Sequence, residues 1–195
     1  VFNNLASVTF SINNNGDPTN TGVNMELNVD MADFTADNQP DGGNAPVYND
    51  RIIAHEMVHA VMTRNMDMSA LPGWFTEGAA ELIHGADERV IGDFTSIDSL
   101  AELSAEFKTT AGSPTTSAGY SAGYLATKML HDDLLVESGG AGGIDLLFDQ
   151  LEAGNSLDVA LGNLSVAHTI ATWSDLATFE AHFRANGVDY LNDTY

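Results

Sequence analysis

Val8, Phe10 and Ile12 alternate with small polar residues, and Val23, Met25, Leu27, Val29 and Met31 alternate more strictly. A period of two sends successive side chains to opposite faces, so both stretches predict strands of a small antiparallel sheet with an exposed edge. Clusters such as Asn13-Asn14-Asn15-Gly16-Asp17-Pro18 predict the turns between them, and 11 of the 16 asparagines fall in the first fifty residues. From residue 49 onward the pattern becomes helical. Asn49 or Asp50 can cap a helix running to about residue 65, and Ile52, Ile53, Val58 and Val61 predict that it is largely buried. Pro72-Gly73 separates it from a second helix over 75–85. A third spans 117–137, ended by the glycine-rich stretch 139–143. Shorter helices follow over 144–153, 157–161 and 174–185, the last stopped by Asn186-Gly187. There is no internal repeat. Strands first and helices after predict an α+β fold in a single domain over 1–195: a mainly β part to residue 48, two helices carrying the candidate chemistry over 49–90, and a helical part over 91–195.

Composition narrows what such a domain does. Six Lys and Arg stand against 28 Asp and Glu, a formal net charge of −22. That surface repels phosphate backbones and anionic membranes, so nucleic acid and membrane are excluded as partners. It also suits a high-salt setting, where screening removes self-repulsion. With no cysteine, disulfides, thiol catalysis and thiolate metal sites drop out, and any metal falls to histidines and carboxylates. The Asp- and Asn-rich stretch 30–50 offers oxygen ligands for calcium, though without EF-hand spacing. Val1 is not followed by a charged and then apolar export signal, which predicts either a leader already removed or, the favoured reading, a domain cut from a longer chain.

His55-Glu56-Met57-Val58-His59 is an HExxH string inside the first helix. A spacing of four puts both imidazoles on one face, where their nitrogens can converge on a metal. Glu56 projects beside them, placed to act as general base toward the water that a catalytic zinc activates. Such a zinc takes three protein ligands. The extended HExxHxxGxxH form is absent, because Met62 stands where its glycine would be. Glu77 follows His59 by 18 positions on the next helix, a distance that allows one helix-turn-helix return, and it completes a His2Glu set.

Together with Trp74-Phe75-Thr76-Glu77-Gly78-Ala79-Ala80, the HExxH string resembles the gluzincin metallopeptidases, which include thermolysin and the aminopeptidase N family. Their signature joins HExxH to a glutamate on a following helix, often as W-x-x-E-G-x-A. The resemblance implies that one zinc ion is held by His55, His59 and Glu77, and that Glu56 is the catalytic base. It also implies that Glu81, one turn beyond Glu77, accepts a hydrogen bond from His55 and so fixes its tautomer. His84 continues that face and is a candidate substrate contact, with a purely structural role as its competitor. Tyr120-Ser121-Ala122-Gly123 resembles the Y-x-x-G stretch of aminopeptidase N relatives, whose tyrosine donates to the reaction's oxyanion. Tyr120 is therefore the favoured donor, Tyr124 its rival, and His131 the alternative by analogy with thermolysin-like enzymes.

Longer stretches are similar to the flagellinolysins, gluzincin domains inserted in the variable region of bacterial flagellins. These are residues 53–62, 74–90 with His84-Gly85-Ala86-Asp87-Glu88-Arg89, 120–130 and 173–187. This similarity implies a zinc endopeptidase displayed outside the cell on a flagellar filament, with another secreted or surface protein as the alternative host. Protein substrates would bind as an extended strand along the edge offered by residues 23–31. Endopeptidase is preferred to aminopeptidase because no G-x-M-E-N-type motif for a free amine is present. The rivals are a catalytically idle protein-binding module and a zinc-stabilised surface decoration.

Overall fold

The fold is described from a computed structural model, which covers residues 6–12, 21–30, 49–93 and 98–195. It is α+β: a two-stranded antiparallel sheet at the N-terminal end, then a mostly helical body. Strand β1 (Ala6–Ile12) pairs with β2 (Gly22–Val29), with Ala6 opposite Val29 and Val8 opposite Leu27. The register slips between Thr9 and Ser11, and Asn24 on the facing strand takes a left-handed φ of 53°, the backbone signature of a bulge. Met31 and most of the proposed calcium stretch lie outside the described residues.

Eight α-helices follow among the described residues: α1 (Asn49–Asn65), α2 (Gly73–His84), α3 (Asp87–Asp93), α4 (Leu100–Glu106), α5 (Ser117–Glu137), α6 (Ile144–Glu152), α7 (Leu157–His168) and α8 (Leu176–Thr194). None is long and apolar enough to cross a membrane. The expected boundaries of α1, α2, α5 and α6 match to within two residues. The side chains of Asn49 and Asp50, expected to cap α1, lie outside the described part.

Three expectations need correction. Helix α8 does not stop at Asn186-Gly187. The Asn186 side chain donates back to His182 O at 2.9 Å, and a Cβ at Gly187 would stand 2.6 Å from Leu103. This glycine admits a neighbouring helix and breaks nothing. Helix α7 runs past Leu161 to His168, because Leu164 and Ser165 continue its buried face, and it ends at Thr169 in the left-handed region (φ 58°). Helix α1 is buried on one face only. Val58 and Met62 enter the core, whereas Ile53, Met57 and Val61 are 37, 49 and 57% exposed. Positions 53, 57 and 61 recur every four residues, opposite the face that carries positions 55, 59 and 62.

The centre of the body is α2, whose residues from Gly73 to Glu81 are all buried. Trp74, Phe75, Ala79 and Ala80 give it apolar surface to bury, and α2 is enclosed by α1 and α5. Its contact with α5 is a backbone approach: a Cβ at Gly78 would lie 2.2 Å from Gly123 O, and one at Gly123 would lie 2.9 Å from Trp74 O. Around the start of α2, Trp74 packs on Phe179 and Phe107 at 5.4 and 5.7 Å between ring centroids, and Phe107 meets Phe183 at 4.8 Å. The Trp74 indole N–H reaches Glu180 Oε1 at 2.9 Å, so the ring is buried without an unpaired donor.

Candidate metal centre

Two buried carboxylates face two histidines where α1 crosses α2. The four-residue spacing on α1 turns His55 and His59 the same way, with ring centroids 4.6 Å apart. Glu77 arrives from α2, whose depth is set by the Gly78–Gly123 approach one residue later. His55 Nε2 lies 3.0 Å from Glu77 Oε2, His59 Nε2 3.2 Å from the same oxygen, and the two Nε2 atoms 3.0 Å from each other. In a tetrahedral zinc site with bonds of about 2.0–2.1 Å, neighbouring ligand atoms stand about 3.3–3.4 Å apart. The triangle seen here is within about 0.4 Å of that figure on every edge. Two imidazole nitrogens and one carboxylate oxygen are also ligand types zinc takes. The residues fit the metal.

Protonation points the same way. The Nδ1 atom of His55 faces Glu81 Oε1 at 3.2 Å. A proton held there leaves the Nε2 lone pair of a neutral His55 aimed at Glu77 and His59, and such a set of acceptors requires a cation. Without metal the cation is a second proton. Burial disfavours charge on His55, but hydrogen bonds and attraction from Glu77 and Glu81 outweigh it and raise its pKa to about 9. For both carboxylates burial works against ionisation and is overcome. The bonds from His55 and His59 hold Glu77 far below the usual carboxylate range, and His55, His84 and Arg89 bring Glu81 down to about 2. At 6% and 1% exposure, neither would stay ionised without these partners.

Glu81 gathers three groups: His55, His84 Nε2 at 3.5 Å and Arg89 Nε at 3.2 Å. His84 therefore sits beside the centre, its ring 5.5 Å from that of His55. His55, Glu81 and His84 form a second group close enough to hold an ion, but Arg89 already supplies positive charge to that carboxylate. The Nδ1 atoms of His59 and His84 are buried and lack a hydrogen-bond partner among the described residues.

The remaining candidates separate in space. Glu56 is half-buried on α1 next to His55. Tyr120 lies at the centre, with its ring 6.2 Å from that of His55 and the Arg89 guanidinium 5.1 Å from its own centroid. Burial first, and then the charge of Glu77, push its phenol up to about 12, so it stays a donor at neutral pH. Tyr124 instead donates to Asp87 Oδ1 at 2.5 Å and takes a bond from Tyr195. His131 Nδ1 accepts from the Ile144 backbone N–H at 3.1 Å, which occupies it at the start of α6.

Two residues at the site had no role in the sequence reading. Arg89 was seen only as part of a longer similar stretch. Ser113, whose hydroxyl donates to Glu77 Oε1 at 2.6 Å, lies in a loop without periodicity. Its position before Pro114 was the one available sign of a constrained backbone.

Searches of protein-family models, of curated proteins and of solved structures returned no match for this chain.

Proposed function

We propose that this chain is a zinc-dependent endopeptidase that hydrolyses peptide bonds in protein substrates. One observation carries the reading: His55 Nε2, His59 Nε2 and Glu77 Oε2 converge to within 3.0–3.2 Å of one another, beside a glutamate on the same helix. His55, His59 and Glu77 would hold the metal. When bound, zinc supplies Lewis acidity toward the attacking water and the scissile carbonyl. Glu56 takes the proton that the water loses and passes it to the departing amine, so one carboxylate serves as base and then as acid. The Tyr120 phenol, kept protonated by its surroundings, donates to the oxyanion that develops as the carbonyl carbon becomes tetrahedral. Glu81 holds the His55 ring in the tautomer that frees Nε2.

In this reading the substrate lies extended along β2, which pairs on one side only among the described residues. Display on a flagellar filament, outside the cell, belongs to the same proposal and rests on the sequence resemblance alone.

The test is cleavage of unfolded casein by the purified chain, with and without a chelator, beside Glu56→Gln. Loss of the general base should lower the rate about 10²–10⁴-fold while metal stays bound. A wild-type chain that holds zinc but leaves casein intact at every salt concentration would replace the enzyme with an idle protein-binding module.

A further inference from the structure

We propose that Ser113 is a positioning residue whose hydroxyl restricts Glu77 to a single ligating oxygen. The inference rests on the metal reading above and extends it to a residue outside every motif. Glu77 presents Oε2 to both imidazoles and gives Oε1 to the Ser113 hydroxyl, at 2.6 Å. That length falls in the range of a charge-assisted O–H to carboxylate bond, about 2.5–2.7 Å. With one oxygen tied down, the carboxylate neither rotates nor offers both oxygens to the same ion.

Ser113 is itself exposed, so burial does not hold it. The loop around it does. Gly73 N donates to Thr110 O at 2.8 Å and Trp74 N to Lys108 O at 2.9 Å, which straps the loop across the first turn of α2. The approach is close enough that a Cβ at Gly73 would lie 2.1 Å from Gly112 O. On the other side Pro114 is buried, packed against Gly119 in the first turn of α5. A residue before proline is confined to extended backbone, so Ser113 hangs between two fixed points with few conformations left. The loop spends the hydrogen-bonding groups of the α2 N-terminus on its own attachment and delivers one hydroxyl to one ligand oxygen.

The experiment uses Co2+ as probe in the intact chain, reading its affinity by competition with a chelating dye and its geometry by visible absorption. Wild type, Ser113→Ala, Ser113→Thr and Glu77→Gln are compared, with circular dichroism to establish folding. Removing a partner that orients a ligand typically costs 10–100-fold in metal affinity, and that loss is expected for Ser113→Ala. Its absorption bands should also weaken and shift, because a freed carboxylate can use both oxygens and raise the coordination number. Ser113→Thr should restore both signals. Wild-type affinity and spectrum in Ser113→Ala would overturn the proposal, as would a threonine variant as impaired as alanine. A wild-type chain that binds no Co2+ would overturn the metal reading and this inference together.

Discussion

Gly78 and Gly92 are both helical glycines, and the structure gives alanine opposite consequences at the two. At Gly78 the new carbon would stand 2.2 Å from Gly123 O and 2.3 Å from Thr127 Oγ1. Side chains do not relieve the first contact, since the obstacle is the backbone of α5. To restore even 3.0 Å, the two helices must separate by about 0.8 Å along that line (3.0 − 2.2). Overpacking of this kind costs about 1–3 kcal/mol, and a backbone obstacle belongs at the upper end. Alanine's better helix propensity offsets about 1 kcal/mol, which leaves a net loss of about 2 kcal/mol. For a chain of this size that lowers the melting temperature by about 4–8 °C. Gly92 has nothing within 4 Å among the described residues and no left-handed φ, so Gly92→Ala keeps only the propensity gain and should melt about 2–4 °C higher. Circular dichroism melts in chelator, which removes any stabilisation by metal, read both variants. A Gly78→Ala protein that melts at or above wild type would refute the close α2–α5 packing, and with it the placement of Glu77.

Three further expectations follow from the same geometry. Tyr120→Phe should lower kcat about 10²–10³-fold with KM little changed; an unaltered kcat on a peptide substrate would remove Tyr120 from the mechanism. In metal-free protein the raised His55 pKa contributes stability that is full below about 6.5 and is lost as pH rises through about 9. The lowered carboxylate values contribute stability present above about 4.5 and lost as Glu81 is protonated near 2. Urea unfolding in chelator should therefore show stability falling between pH 6.5 and 9, and a flat profile there would contradict the cluster. With a net charge of −22, added sodium chloride should raise the melting temperature by screening self-repulsion, and a fall would show that repulsion is not what limits stability.

The parts of the site readable in advance were those written in local spacing. A spacing of four from His55 to His59 is a statement about one helix face, and Glu77 follows on the next helix within a recognisable string. The long stretch 117–137 was legible because its apolar positions persist until the glycines begin. What stayed hidden depends on partners distant in sequence. Ser113 meets Glu77 across 36 positions, and no periodicity marks a loop that is ordered by another helix's backbone. Gly187 read as a helix stop because glycine is ambiguous in sequence: the same residue that ends a helix also lets two helices touch. Ile53 and Val61 are as apolar as core residues, yet they share the exposed face of α1. The face is set by the direction of α2, which only the tertiary structure reveals.

The centre itself is tested most directly by measuring zinc in the purified chain and recording X-ray absorption at the zinc edge. His59→Ala and Glu77→Gln would be measured in parallel. One zinc per chain is expected, with two imidazole nitrogens and a carboxylate oxygen among its nearest neighbours, and the ion should be lost in both variants. A chain without zinc, or one that keeps an unchanged zinc environment when His59 or Glu77 is replaced, would contradict this expectation.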